Sequence, residues 1–158
     1  MKIAIKMNLR SDLFDLRSYP YLCTMADNNL TSLSELGEFG LIEHLTKNNK
    51  IRNKETVTAV GDDCAVIDAG EKFILVSTDL LVEGVHFDMV YTPLHHLGYK
   101  AAVVNFSDVI AMNGKPKQIT VSVAISAKYS LEALEALYKG IYLACEKYGV
   151  DLVGGDTT

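Results

Sequence analysis

The stretch Ile119–Thr158, ITVSVAISAKYSLEALEALYKGIYLACEKYGVDLVGGDTT, sets the pattern of the chain. Ile119, Val121, Val123 and Ile125 alternate with Thr120 and Ser122, the two-residue period of a half-exposed strand. Ser130 is placed to cap a helix. After it Leu131, Leu134, Tyr138, Ile141, Cys145 and Tyr148 step by three and four, and Gly149 closes the run. Val150–Val153 then reads as a short buried strand that points at Gly154-Gly155-Asp156-Thr157-Thr158. Towards the amino terminus, Leu97, Ala101, Val104 and Val109 fall near helical spacing within 94–112, with Asn113-Gly114 as the stop. Lys72–Val76 reads as a buried strand that delivers Ser77-Thr78-Asp79 at its end. Thr56–Val60 and Cys64–Ile67 are strand-like and flank Gly61-Asp62-Asp63. Ser32 and Glu35 have capping-box spacing, and Leu36, Phe39, Ile42 and Leu45 share a helical face that fades near Asn48-Asn49.

Residues 1–29 show no sustained period, and Pro20 breaks any helix there. They are read as a poorly ordered extension, with Met25 a candidate start. Residues 30–158 then form one domain, as 158 residues allow. Two glycines and an acid directly after a buried strand make an unusual domain end, so the stop at Thr158 is read as a truncation.

Composition excludes several classes. Hydrophobic residues are 49% and charged residues 22%, which is globular rather than disordered or fibrous. The net charge of -5 and the absence of Trp give no general attraction for nucleic acid. Cys23, Cys64 and Cys145 are odd in number and far apart, forming neither a disulfide framework nor a zinc motif. No apolar run reaches the roughly 18 residues of a membrane span, and no signal peptide is present, so a cytoplasmic location is expected. There is no P-loop and no dinucleotide-binding glycine motif.

The chemistry lies in the acids. Asp62, Asp63, Asp79 and Asp156 sit at the margins of apolar runs, and Asp108 lies inside an apolar helix. Each acid outside that helix alone fits a turn or cap. Asp108 does not, because an acid among Ala, Val, Phe and Ile is costly unless paired, protonated or bound to a cation. Several acids from separate elements converging on one place repel one another, and Mg2+ bridging to substrate phosphates resolves that repulsion. Gly154-Gly155 suits either a turn or close backbone approach to a phosphate. His86 and Tyr138, taken alone, read as structural. Cys64 beside Asp63 has a raised thiol pKa and is no nucleophile.

Five motifs in order then resemble a known family: Ser34-Glu35-Leu36-Gly37-Glu38-Phe39-Gly40-Leu41-Ile42, Val60-Gly61-Asp62-Asp63-Cys64-Ala65, Ser77-Thr78-Asp79 with Val85-His86-Phe87, Lys100-Ala101 with Asn105, Ser107-Asp108 and Ala111-Met112, and Gly154–Thr158. The segment 33–158 is similar to the amino-terminal half of thiamine-monophosphate kinase, within the superfamily of aminoimidazole ribonucleotide synthetase and selenophosphate synthetase. The resemblance implies an α+β domain with helices on one face of a mainly antiparallel sheet, paired with a second copy through that sheet. It implies ATP-dependent phosphorylation of thiamine monophosphate to thiamine diphosphate, with several Mg2+ ions and no protein nucleophile.

By the same resemblance Asp63, Ser77, Thr78, Asp79, Asp108 and Asp156 bind metal. His86 contacts substrate, and Tyr138, Gly155 and Asp156 contact ATP. A second domain and a nucleotide-contacting Arg are expected beyond Thr158, so this chain alone is expected to turn over little or not at all. The alternatives are a sister synthetase and a non-catalytic dimerisation module that binds Mg2+ and nucleotide.

Overall fold

The computed structural model describes residues 2–6 and 32–158. The chain divides into two units, residues 10–51 and residues 1–9 with 52–158. The first contains helix α1, Leu33–Thr46. Its cap differs from the expected box: the Ser32 hydroxyl accepts from the Ser34 N–H at 3.3 Å. Gly37, at φ 64° and ψ -177°, interrupts the helix, so the run is two helical pieces rather than one continuous face.

In the larger unit, strands β2 (Thr56–Thr58), β3 (Ala65–Asp68) and β4 (Phe73–Val76) form an antiparallel sheet in that order. Strand β5 (Thr78–Val82) follows β4 after the single residue Ser77 and enters a different sheet. That sheet contains β1 (Lys2–Lys6), β6 (Gln118–Ala124) and β7 (Asp151–Thr157), in the order β5-β1-β6-β7. All three of its pairings are parallel. Antiparallel pairing, expected to dominate, is that of the three-stranded sheet. The reason is connectivity. Helix α2 (Leu94–Ala111) joins β5 to β6, and helix α3 (Leu131–Tyr148) joins β6 to β7. A helical crossover returns the chain in the same direction, so the strands it joins run parallel.

Strand β1 lies within residues 1–29. Lys2–Lys6 is an interior strand, paired over five residues with both β5 and β6. Its Lys-Ile-Ala-Ile-Lys sequence has the two-residue period of a strand, in a window too short for periodicity to stand out. The rest of that segment, with Cys23 and Met25, lies outside the described residues.

Helices α2 and α3 cover one face of the four-stranded sheet, the α+β layering expected. Ile119, Val121 and Val123 of β6 are all buried against Leu97, Ala101 and Phe106 of α2 and Leu137, Ile141 and Ala144 of α3. Each such aliphatic side chain contributes about 1.5–3 kcal/mol on burial. Two glycines let α2 and α3 approach closely. A Cβ on Gly98 would lie 1.9 Å from the Leu137 carbonyl oxygen, and one on Gly140 would lie 1.9 Å from that of His95. Helix α3 begins as expected, with the Ser130 hydroxyl accepting from the Ala133 N–H at 3.3 Å. It ends at left-handed Gly149, φ 65°. No described helix is long and apolar enough to cross a membrane.

Candidate functional site

The seam between the two sheets gathers the acids. Ser77, the residue that carries the chain from β4 to β5, is 5% exposed. Its hydroxyl donates to Asp108 Oδ2 at 2.5 Å. Asp108 reaches the seam because it sits one turn beyond Asn105 on the same face of α2. Asn105 is fully buried. Its side-chain oxygen accepts from the Asp79 N–H at 3.1 Å, and its amide donates to the Ala101 carbonyl at 3.0 Å. One buried amide thus ties the start of β5 to α2 and sets Asp79 beside Asp108.

The electrostatics reflect that geometry. Burial raises the Asp79 pKa, the Asp108 charge raises it further, and His86 opposes the shift. Burial also pushes the Cys64 thiol up, and Asp108, Asp63 and Asp62 add to it in that order. Cys64 therefore senses carboxylates from both α2 and the loop before β3. In that loop the Asp63 N–H donates to Asp62 Oδ1 at 3.0 Å, and both acids are exposed. Thr78 opens β5 and is exposed. Among the described residues, no three His, Cys, Asp or Glu side chains are close enough to hold a metal ion by themselves.

His86 lies in the turn after β5. Its Nδ1 accepts from the Val82 N–H at 3.0 Å, which leaves Nε2 as the ring nitrogen outside that bond. Its carbonyl accepts from Lys100 Nζ at 2.7 Å, so the turn is fastened to the first half of α2.

Asp156 stands apart. Gly154-Gly155-Asp156-Thr157, read as a motif beyond a strand, is part of β7 itself. Register fixes the distance. Asp79 is paired with Ile3, Ile3 with Val121, and Val121 with Gly155. Three strand spacings of about 4.8 Å, roughly 14 Å, separate the two ends of that row. Asp156 is therefore on the far edge of the sheet from Asp79, and the two do not share one ion.

Instead Asp156 lines a cavity of about 510 Å³ with Tyr138, Gly154, Gly155 and Thr157. Tyr138 also packs on the core, as periodicity implied. Gly155 has a structural cause of its own, because a Cβ there would lie 1.7 Å from the Val121 carbonyl oxygen.

Two contributors escaped the sequence reading. Asn105 was visible as part of a motif, and its position in an otherwise apolar helix was the signal. Ser122 is aligned with Asp156 across β6 and β7. Its hydroxyl is buried and has no hydrogen-bond partner, an orphan that a polar ligand beside Asp156 would satisfy. Its signal, a Ser alternating with Val in a strand, is too common to single out.

Comparison with known proteins assigns the chain to a family. Residues 61–158 match the AIR synthase related protein, N-terminal domain. The chain is 40% identical over 124 residues to thiamine-monophosphate kinase of Aquifex aeolicus, covering 78% of this chain and 38% of that protein. It is 37% identical over 123 residues to the Bacillus subtilis enzyme of that name, covering 77% and 38%. A solved structure described as AaThiL complexed with AMPPCP and TMP superposes with a TM-score of 0.72 at 38% identity, over 82% of this chain and 40% of that one. The chain thus spans about two fifths of the length of these relatives. With more than half of its residues matched, it belongs to the family of the AIR synthase related protein N-terminal domain.

Proposed function

We propose that this chain forms the Mg2+- and nucleotide-binding part of a kinase that transfers the γ-phosphoryl group of ATP to the phosphate of thiamine monophosphate. The products are thiamine diphosphate and ADP. The observation that carries the reading is Asp108, an acid inside an apolar helix, held by Ser77 and set beside Asp79. Acids pressed together in this way favour a cation between them. The relatives' names and the nucleotide analogue in the neighbouring structure supply the rest of the reading.

Asp63, Ser77, Thr78, Asp79 and Asp108 would hold Mg2+ at the seam, and Asp156 would hold it at the far edge. When bound, the metal neutralises phosphate oxygens during transfer. Ser77 orients the Asp108 carboxylate, and Asn105 fixes the backbone of Asp79. Tyr138, Gly155 and Asp156 border the space for the nucleotide. His86, held by Val82, presents its second ring nitrogen to the substrate. The roughly 14 Å between Asp79 and Gly155 is a span that a polyphosphate with several ions can bridge.

The face of the four-stranded sheet turned away from α2 and α3 carries Leu80, Thr120, Ser122 and Ala124. It is the surface through which a second copy would pair. The cytoplasm is the compartment expected for such an enzyme.

Titration with a non-hydrolysable ATP analogue, with and without Mg2+, tests the reading. Binding should need Mg2+, and Asp108→Asn should weaken it at least about tenfold while the circular dichroism spectrum stays unchanged. Folded protein that binds the analogue equally well without Mg2+, or not at all, would overturn the proposal.

A further inference from the structure

Strand β4 borders a groove of about 390 Å³ beside the acidic seam, with Val76 next to Ser77 and Val109 next to Asp108 in its lining. Five consecutive residues, Lys72–Val76, line it. A strand that turned a face to a groove would contribute alternate residues; consecutive ones mean that the groove runs along its edge. Among the described residues β4 is paired on one side only, with β3. Among the described residues no strand pairs with its other edge, a template for further pairing.

Edge strands are ordinarily protected by a charge, a proline or a bulge within the strand. Phe73-Ile74-Leu75-Val76 has none of these, and its pairing with β3 runs without a register shift. Phe73, Ile74 and Val76 are 64%, 46% and 42% exposed. The opposite wall comes from the loop after α2. There Gly114 packs so closely on Leu75 that a Cβ would lie 2.3 Å from the Leu75 side chain, which holds the wall at a fixed distance from the strand.

Charge identifies the occupant. Lys72 stands at one end of the strand, Lys115 and Lys117 stand on the opposite wall, and none of the described residues that line the groove is acidic. This is a basic channel on a chain of net charge -5. A second copy docked edge to edge would set lysines against lysines. We infer that β4 accepts an extended acidic polypeptide segment as a further strand, with main-chain pairing to Phe73–Val76 and carboxylates on Lys72, Lys115 and Lys117. Such strand addition draws affinity from the main chain and selectivity from the flanking charges.

The inference is independent of the nucleotide site, and its test uses neither Mg2+ nor nucleotide. The probe is a fluorescein-labelled peptide of alternating Glu and Val, six residues long, followed by anisotropy against the whole chain. Saturable binding is expected. The double variant Lys115→Glu/Lys117→Glu should weaken it at least about tenfold. The same peptide N-methylated at every residue keeps its charge, cannot pair, and should not bind. Absence of binding by the unmodified peptide overturns the inference. So does equal binding of the methylated peptide, which would mean attraction by charge alone. Sedimentation showing a dimer that Ile74→Lys dissociates would assign the edge to a second copy and overturn it as well.

Discussion

The two sheets use the same residue types to different ends. Strand β6 buries Ile119, Val121 and Val123 to 2% exposure or less, under two helices. Strand β4 offers Phe73, Ile74 and Val76, no less apolar, yet each stays at least 42% exposed. The difference is the covering layer, since apolar side chains contribute to stability only when something removes them from water. The four-stranded sheet is the body of the domain, and the three-stranded sheet is a surface carried by it. Ser77 is the residue at which one becomes the other, and the acids collect there.

Equal deletions in the two sheets' surroundings should therefore differ most. Ile141→Ala removes a fully buried side chain from α3 and should cost about 2–5 kcal/mol. In a domain of this size that lowers the melting temperature by at least about 4 °C. Ile74→Ala deletes the same atoms from β4 and should change stability by no more than about 0.5 kcal/mol. Urea unfolding of both variants gives the answer. Similar losses would mean that β4 is covered in solution, and the contrast between the sheets would fall.

The seam should behave unlike either sheet, because its groups are arranged against stability. The Asp79 pKa is raised by burial and by Asp108, so the folded state binds that proton more tightly than the unfolded chain does. Linkage gives the sign. Stability from this group is complete below the ordinary carboxylate pKa of about 4, and is lost as pH rises through the higher folded value. At neutral pH Asp79 is a cost, and Asp79→Asn should raise the melting temperature in metal-free buffer. The gain should vanish below about pH 4. The same variant should bind the Mg2+-dependent ATP analogue more weakly. A stabilised but weaker-binding protein is the expected signature of a site held under electrostatic strain. A variant less stable at pH 7 would show that Asp79 is structural.

Much of the fold was legible because local patterns were strong. Alternation in 119–125 and the three-and-four spacing in 131–148 placed β6 and α3 within a residue or two. The caps of α3, Ser130 and Gly149, are those observed. Parallel pairing was not legible, because period shows that a strand exists and says nothing about its neighbour. Strand β1 hid for a related reason: five residues carry too little pattern, and its place between β5 and β6 is a tertiary fact.

At the site, Asp108 stood out because an acid inside an apolar helix demands a cause, and its contact with Ser77 supplies one. The separation of Asp156 from Asp79 could not be read in sequence, because it depends on how many strands lie between them.

Two cysteines give the finest form of the comparison, since one lies at the seam and the other in the body. Cys64 is 1% exposed and Cys145 is 7% exposed. Both thiols are raised, and burial is the first cause in each. The charges around them differ. Cys64 feels Asp108, Asp63 and Asp62, whereas Cys145 feels Asp151 alone. Neither thiolate is favoured at neutral pH, so both should react slowly with iodoacetamide in the folded protein, as peptide mass spectrometry can monitor. Asp108→Asn removes the largest charge acting on Cys64 and leaves the surroundings of Cys145 untouched. The pH at which Cys64 becomes reactive should fall in that variant, while that of Cys145 stays fixed. If both move together, the substitution has loosened the whole domain, and the seam is not electrically distinct from the body. If neither moves, Asp108 does not face Cys64, and the convergence of α2 with the loop before β3 is lost with it.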